Sequence, residues 1–308
     1  MNTGSMVPVD CPLCRKKEEF SVLYEQNFEP ARLFEVSSPG GGKVLPHYRI
    51  VKCSKCGVIY SNPILSAELM HDIYYEGDFL VAQPYVLETD NINKAYSRLL
   101  RKAIRLVPSK KRLLDIGCGN GFFLLRCLEE GFKEVYGVEP SKAALAQTPQ
   151  DLRGRIRNDV FRPSDFTEES FDIVCCFHVL GHVVDPNIFL AGIHTCLKKG
   201  GIVLALTHNI NSWLSAIAGE SWSPIYMAHI SFFNKETLRK IFEKNGFAVH
   251  SVFETPNTFS AGHWVLRSPL PAPLKKLAGS VLSTLHLNSL RLTLRIGNIG
   301  IIGQRPFS

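Results

Sequence analysis

Residues 113–122 read LLDIGCGNGF, and this stretch decides the fold of the 308-residue chain. It predicts a buried strand over residues 112–116, a glycine-rich turn, and a helix over residues 122–130. Glycine permits a tight turn and lets a ligand approach the backbone closely. Glu139 ends the next predicted strand, about 20 residues after Gly119, where a carboxylate can accept hydrogen bonds from both hydroxyls of a ribose. The stretch therefore predicts an adenosine-binding site.

The same turn argues against two other kinds of nucleotide site. A nicotinamide-binding loop reads G-x-G-x-x-G, and Phe122 occupies the position of its third glycine. The chain contains no G-x-x-x-x-G-K-S/T segment, which argues against binding of a nucleoside triphosphate. A turn that binds no ligand is the remaining alternative.

Strand and helix patterns alternate along most of the chain. Further strands are predicted over residues 134–138, 155–159, 171–177, 202–207 and 247–253. Helices are predicted over residues 66–107, 142–146, 185–198 and 235–245, with Ser141 and Asn234 as caps, and a closing hairpin is predicted from 291–295 and 300–303. Repeated strand–helix units predict a doubly wound, Rossmann-like α/β sheet. Ligands of such sheets bind at the carboxyl ends of the strands.

The motifs of this region jointly resemble those of class I S-adenosylmethionine-dependent methyltransferases. They are DIGCGNG at 115–121, GVEPS at 137–141, NDV at 158–160 with FDIV at 171–174, FHVLGHVVDP at 177–186, and LKKGG at 197–201. The resemblance covers roughly residues 110–255 and the final hairpin, and it implies S-adenosylmethionine as the cofactor.

The resemblance also implies roles for single residues. Gly117, Gly119 and Gly121 would pass the methionine part of the cofactor, with Asp115 nearby, and Glu139 would hold its ribose. Asp159 would bind the adenine amine beside Val160, and Phe177 and His178 would line the methionine end. Relatives often carry Glu before the second His of the fourth motif, where this chain has Gly181, so no role is carried over for that Glu.

Two C-x-x-C pairs, Cys11 with Cys14 and Cys53 with Cys56, are separated by 38 residues. Each pair presents two thiolates at one tight knuckle, and two knuckles complete the tetrahedral Cys₄ site that zinc favours in a structural role. A redox pair is the alternative, but the thioredoxin-like context for one is missing. The other five cysteines are expected in the core. This usage predicts a reducing, cytoplasmic compartment.

A cysteine ribbon followed by Tyr74-Tyr75, a helix and this core resembles a bacterial group of methyltransferases. Its members often act on sugars, polysaccharide intermediates or other small metabolites, and AHISFFNKETL at 228–238 matches the group where such enzymes build the acceptor site. The predicted domains are a zinc-ribbon-like module (1–62), a helical linker or lid (63–107), a cofactor-binding domain (108–258 and 291–308) and a basic helical insertion (259–290).

A hydroxyl acceptor benefits from a general base, and histidine is the usual choice near neutral pH. We rank His229 first and His178 second as this catalytic base. Trp222 and Tyr226 are candidates for an acceptor wall, with packing in the core as the alternative.

These patterns predict a methyltransferase for a small-molecule acceptor, such as a sugar, a nucleotide sugar, or a polysaccharide or lipid-linked intermediate. An RNA methyltransferase with a zinc module is one alternative. The zinc modules of such enzymes usually include a histidine ligand, whereas Cys56 is the fourth ligand here. The module is also not notably basic, so nucleic acid is not the expected partner. A non-catalytic binder of the cofactor is the third hypothesis.

Net charge is +7, and its location matters more than its size. No Asp or Glu lies between Phe259 and Ser308, a segment with six cations: Arg267, Lys275, Lys276, Arg291, Arg295 and Arg305. Its apolar stripe is expected to pack on the core or to form a lid or dimer contact, with a peripheral membrane helix for an anionic or lipid-linked acceptor as the alternative. No apolar run reaches the ~20 residues of a membrane span, and no signal peptide is predicted.

Overall fold

The computed structural model describes residues 6–29, 44–66, 69–70, 89–268 and 270–307. Its N-terminal part contains the short strands β1 (Met6–Val7), β2 (Phe20–Tyr24), β3 (Ile50–Cys53), β4 (Ile59–Ser61) and β5 (Ile64–Leu65), followed by helix α1 (Thr89–Ile104). Helix α1 is the later part of the helical segment predicted over residues 66–107. Tyr74 and Tyr75 lie outside the described residues.

A mostly parallel sheet forms the centre of the protein. Its strands are β6 (Arg112–Ile116), β7 (Glu134–Val138), β8 (Ile156–Arg157), β9 (Phe171–Phe177), β10 (Leu197–His208), β12 (Ala248–Ser260) and β13 (Arg291–Gln304). Their order is β12-β13-β10-β9-β6-β7-β8. The pairs from β8 to β10 are parallel, whereas β13 runs antiparallel to both of its neighbours. The predicted doubly wound, Rossmann-like α/β fold is confirmed.

Helices connect these strands and cover the sheet. They are α2 (Phe122–Glu129), α3 (Lys142–Leu145), α4 (Pro186–Cys196), α5 (Trp213–Ala218), α6 (Lys235–Lys244), α7 (Ala261–Arg267) and α8 (Ala272–Thr284). The predicted caps are confirmed, since the side chain of Ser141 accepts the N–H of Ala144 and Asn234 forms a capping box with Thr237.

Several predicted boundaries were wrong: the strand predicted over 155–159 is only Ile156–Arg157, and the one predicted over 247–253 continues to Ser260. Helix α4 ends at Cys196, and β10 begins at once at Leu197 rather than at residue 202. The expected hairpin of 291–295 and 300–303 is one continuous strand, β13, whose antiparallel partner is β12. The glycines in this segment suggested a turn, but long-range pairing with β12 keeps it extended.

Strand β9 lies in the middle of the sheet, and all seven of its residues are buried. Asp172 on this strand accepts hydrogen bonds from the backbone N–H groups of Lys111 and Arg112, from the Ser109 hydroxyl and from the Lys198 ammonium. Burial alone would raise the pKa of this carboxyl, but Lys198 and these hydrogen bonds outweigh burial and lower it. Asp172 therefore fixes the start of β6 against β9.

The N-terminal unit is joined to the sheet domain through shared strands. Strand β11 (Ser231–Phe232), which follows α5, pairs with β4 in a second sheet of order β11-β4-β3-β2. Strand β5 pairs with β1, which extends the unit beyond residue 62. The side chains of Cys11 and Cys53 belong to the same buried cluster as β9 and α6.

The basic insertion at 259–290 does not pack on the core, which was one of the three roles expected for its apolar stripe; a lid and a dimer contact stay predictions. Helix α8 buries none of its residues, and Leu274, Leu277 and Val281 are exposed. Across the described residues, no helix has the length and apolar character to cross a membrane.

Candidate functional site

The glycine-rich turn after β6 has a left-handed backbone at three positions. The φ angles are +74° at Gly117, +56° at Gly119 and +81° at Gly121. A Cβ at Gly117 would lie 2.4 Å from Cγ2 of Val179, whereas a Cβ at Gly119 would meet nothing within 4 Å. The turn therefore needs glycine for its conformation, and it leaves open space beside Gly119.

Glu139, at the end of β7, is bonded to this turn. Its Oε2 accepts the N–H of Gly119 at 2.9 Å, and its Oε1 accepts the N–H of Ser141 at 2.9 Å. Burial raises the pKa of this carboxyl, although both N–H groups favour its ionised form. The side chain is held in one orientation next to the open space.

Asp115 lies behind the turn and is almost fully buried. Its Oδ1 has no hydrogen-bond partner among the described residues. Burial and the nearby charge of Glu139 raise its pKa well above the ordinary range. A buried carboxyl oxygen without a partner, beside open space and a second carboxyl, fits a ligand that carries both a ribose and cationic groups, as S-adenosylmethionine does.

The remaining residues expected at the cofactor lie at neighbouring strand ends. Asp159 and Val160 follow β8, and the Asp159 carboxylate accepts the N–H of Val160 and forms an ion pair with Arg162 at 2.7 Å. Phe177 ends β9 and packs against the ring of Tyr96 from α1 at 4.1 Å between centroids. The structure therefore brings all of these positions to one edge of the sheet.

Four histidines meet at this edge, and we call them the histidine cluster: His178, His182, His208 and His229. The ring centroids of His178 and His208 are 4.6 Å apart, those of His208 and His229 5.3 Å, and those of His182 and His229 4.1 Å. Tyr226 contacts His229, and Trp222 lies against His208. The two expected bases and the two expected wall residues thus lie together.

Burial dominates the electrostatics of the histidine cluster. It lowers the pKa of all four imidazoles, with further lowering at His178 and His229 from neighbouring rings. For His208 the pKa falls to about 4. The rings are therefore neutral near pH 7, and the buried Nδ1 atoms of His178 and His229 have no hydrogen-bond partner among the described residues.

Two contributors to this cluster were missed from the sequence. A Cβ at Gly181 would lie 2.7 Å from Cδ2 of His229, so the glycine that replaces the relatives' Glu makes room for this ring. Asn298 of β13 places its Oδ1 3.0 Å from Nδ1 of His208. The signal that could have found Asn298 is that it is the one polar side chain in the stretch 296–303, which otherwise holds only isoleucine and glycine.

The four cysteines of the two C-x-x-C pairs converge as predicted. Their sulfur atoms all lie within 4.8 Å of one another, with 3.4 Å between Cys11 and Cys56 and 3.5 Å between Cys14 and Cys53. Sulfur atoms around tetrahedral zinc, with bonds of ~2.3 Å, lie about 3.8 Å apart. The set therefore fits zinc, and it supplies all four ligands of a closed site.

The chain is similar to known methyltransferases. The methyltransferase-domain family matches residues 89–252, which is more than half of the chain. A tRNA U34 carboxymethyltransferase from Sulfurimonas denitrificans is 31% identical over 198 residues, covering 60% of this chain and 64% of that protein. A ubiquinone biosynthesis O-methyltransferase from Cereibacter sphaeroides is 34% identical over 118 residues, covering 36% and 47%. The chain thus spans less than two thirds of these relatives' lengths.

Solved structures include similar chains. A SAM dependent methyltransferase from Archaeoglobus fulgidus is 18% identical, covers 78% of this chain and 100% of its own, and has a TM-score of 0.46.

We predict that Glu139→Ala weakens S-adenosylmethionine binding by about 1–3 kcal/mol, because a buried hydrogen-bonding carboxylate is lost beside the turn. Isothermal titration calorimetry measures the change. Glu134→Ala is the matched control, since Glu134 begins the same strand and pairs with Arg112 away from the turn. Unchanged affinity for Glu139→Ala, or an equal loss in both variants, would contradict the assignment.

We also predict an acid-sensitive stability from the histidine cluster. An unfolded histidine takes up a proton near pH 6.5 and His208 only near pH 4, so protons favour the unfolded state as the pH falls between them. From pH 7.5 to pH 5, His208 alone lowers the free energy of unfolding by about 2 kcal/mol. Urea denaturation at the two pH values measures the loss of unfolding free energy. That loss should be about 2 kcal/mol smaller in His208→Gln than in the wild type.

The exposed His250→Gln is the control for this experiment and should keep the wild-type dependence. Parallel curves for the wild type and His208→Gln would show that the cluster is not held neutral.

Proposed function

This chain belongs to the methyltransferase-domain family, and from that premise we propose that it transfers a methyl group from S-adenosylmethionine to a small-molecule acceptor. The observation that carries the proposal is the position of the histidine cluster. It lies at the same strand ends as the glycine turn, Asp115 and Glu139, so a base and a cofactor site share one edge of the sheet.

S-adenosylmethionine supplies a methyl group on a sulfonium, which leaves as a neutral thioether. The protein's part is then to align the acceptor and to take up its proton. We assign cofactor binding to Asp115, Gly117, Gly119, Gly121, Glu139, Asp159, Val160, Phe177 and His178. His229 is the first choice for the base because its neutral, buried imidazole has an Nδ1 without a partner among the described residues. His178 is the second choice.

Several features support a small acceptor. Trp222 is 4% exposed and His229 5% exposed, so the candidate base and the aromatic ring near it are shielded from solvent. The resemblance to enzymes for sugars and polysaccharide or lipid-linked intermediates points the same way. The name of the Cereibacter relative, an O-methyltransferase of ubiquinone biosynthesis, also supports oxygen methylation of a small molecule.

Transfer RNA is the second candidate acceptor. It is favoured by the Sulfurimonas relative, whose name gives tRNA U34 as its target and whose match extends over 198 residues. The burial of His229 argues against it, because a base flipped out of an RNA must reach the reacting groups from the surface.

We propose a structural zinc ion at Cys11, Cys14, Cys53 and Cys56. Four thiolate ligands leave no open position for chemistry. The ion would hold the N-terminal unit, whose strand β4 pairs with β11 beside His229.

The acceptor class can be tested with S-adenosylmethionine labelled on its methyl group. We expect the protein to label the small-molecule or lipid fraction of a host extract, and His229→Gln to lower the rate by about 10²–10⁴ with unchanged cofactor binding. His250→Gln should behave as wild type. Label in the RNA fraction would replace the small acceptor by the tRNA candidate, and cofactor binding without any label would favour a non-catalytic binder.

The metal site can be tested independently of turnover. Cys53→Ser should release the ion and lower the thermal stability of the N-terminal unit, because metal binding contributes to its folding. Cys196→Ser, at a buried cysteine outside the set, should retain one zinc per chain. Mass spectrometry under native conditions counts the metal, and retention of zinc by Cys53→Ser would exclude the Cys₄ site.

A further inference from the structure

Residues 255–297, which we call the arm, extend beyond the central sheet. Strand β13 pairs with β10 only over residues 298–304, so its earlier residues pair with β12 alone. Helices α7 and α8 complete the arm at its far end. In this ribbon with two helices, Thr255 and Ala261 are the buried residues among those described.

Large apolar side chains of the arm are exposed. They are Leu266, Leu270, Leu274, Leu277, Val281, Leu285, Leu287, Leu290, Leu292 and Leu294. On α8 and just after it, Leu274, Leu277, Val281 and Leu285 recur at helical spacing and therefore share one face. Leu277 is 62% exposed and Leu285 58%, so nothing in the described chain covers that face. Patches of this kind mark interaction surfaces.

The charge of the arm has one sign. It contains no Asp or Glu, and its cations include Lys275 and Lys276 on α8, outside the apolar face, and Arg291 and Arg295 on β13. Glu254 lies just outside the arm and forms an ion pair with Lys235 at 2.6 Å. A surface with exposed leucines, several cations and no acids is complementary to anionic phospholipid. The acyl chains can accommodate the leucines, and the phosphates can attract the cations.

Other occupants fit this surface less well. A second copy of the arm would bring cations to the interface from both chains and no carboxylate from either arm to compensate them. A nucleic acid would satisfy the cations but would leave the leucines exposed, because its phosphate contacts dominate binding.

We propose that the arm docks this protein on an anionic lipid bilayer, with the leucine face of α8 at the headgroup–acyl boundary. The base of the arm reaches the histidine cluster, since Asn298, the residue after the arm, contacts His208 and is held by Asn257 of the arm at 2.9 Å. Beside this base, Trp213 donates its indole N–H to the carbonyl of Arg295 and is 57% exposed. Docking would therefore hold the cluster within one length of the arm from the bilayer.

One consequence rests on the proposed function. If the histidine cluster serves methyl transfer, a docked arm would let it receive an acceptor that is dissolved in, or linked to, lipid. The docking itself needs neither cofactor nor acceptor, so vesicle binding measured without them separates failure of the docking from failure of the methyl transfer.

Flotation with vesicles tests the proposal on the full chain. Vesicles of phosphatidylcholine and phosphatidylglycerol in equal parts should carry the protein upward, and vesicles of phosphatidylcholine alone should carry much less. Leu277→Gln with Leu285→Gln should weaken binding at least about tenfold. The matched control is Ile188→Gln, since Ile188 is 70% exposed on α4, away from the arm, and should bind as wild type does.

The charge term is tested separately. Lys275→Gln with Lys276→Gln should weaken binding to the anionic vesicles about 30-fold, from the contribution of each lysine near such a surface. Lys16→Gln with Lys17→Gln, an exposed adjacent pair, is the control. Lys275 is half-buried and the other substituted lysines are exposed, and unchanged circular dichroism confirms folding of each variant. Equal flotation of the arm variants and the wild type, no flotation at all, or a dimer that the leucine variant dissociates would each overturn the docking.

Discussion

The hydrogen bond between the Glu139 carboxylate and the N–H of Gly119 is the constraint on which the site depends. It joins the ends of β6 and β7 and holds the left-handed turn against the strand that follows it. The side chain of Val179 packs in the space that a side chain at Gly117 would occupy. Through Val179 the segment after β9, which carries His178 and His182, takes its position from the same turn. The glycine turn and the histidine cluster are thus positioned together.

Local patterns were enough to predict the centre of the fold. Strands β6, β7 and β9 lie where the sequence placed them, because their apolar runs are short, buried and bounded by turn residues. The predictions failed where distant partners decide. Pairing with β12, and with β10 over residues 298–304, keeps residues 291–304 in one strand, and no local signal reports it. The stripe of α8 predicted a helix correctly, but periodicity does not say whether a face meets the core or solvent.

The residues of the candidate site also divide into those that local sequence predicts and those that only the fold brings together. The glycine turn and Glu139 could be read within one strand–turn–helix unit. The cysteine pairs could be matched by their spacing, and their sulfur atoms do converge. The histidine cluster needed the fold, since His208 and Asn298 are brought together from 90 positions apart. In the sequence, Gly181 stands where relatives often carry Glu. The structure explains the small residue, because the ring of His229 lies where a side chain would be.

The pairing of β4 with β11 has a consequence for how this protein can change over time. Ser61 donates its hydroxyl to the carbonyl of His229 and its N–H to that of Ile230, so the cysteine unit completes the segment that carries the candidate base. Domain shuffling moves units that end at linkers, and this unit ends inside a shared sheet. Neither half could be exchanged for a foreign counterpart without leaving an open strand edge. The cysteine unit and the half that carries the histidine cluster are therefore inherited together and constrained to vary together.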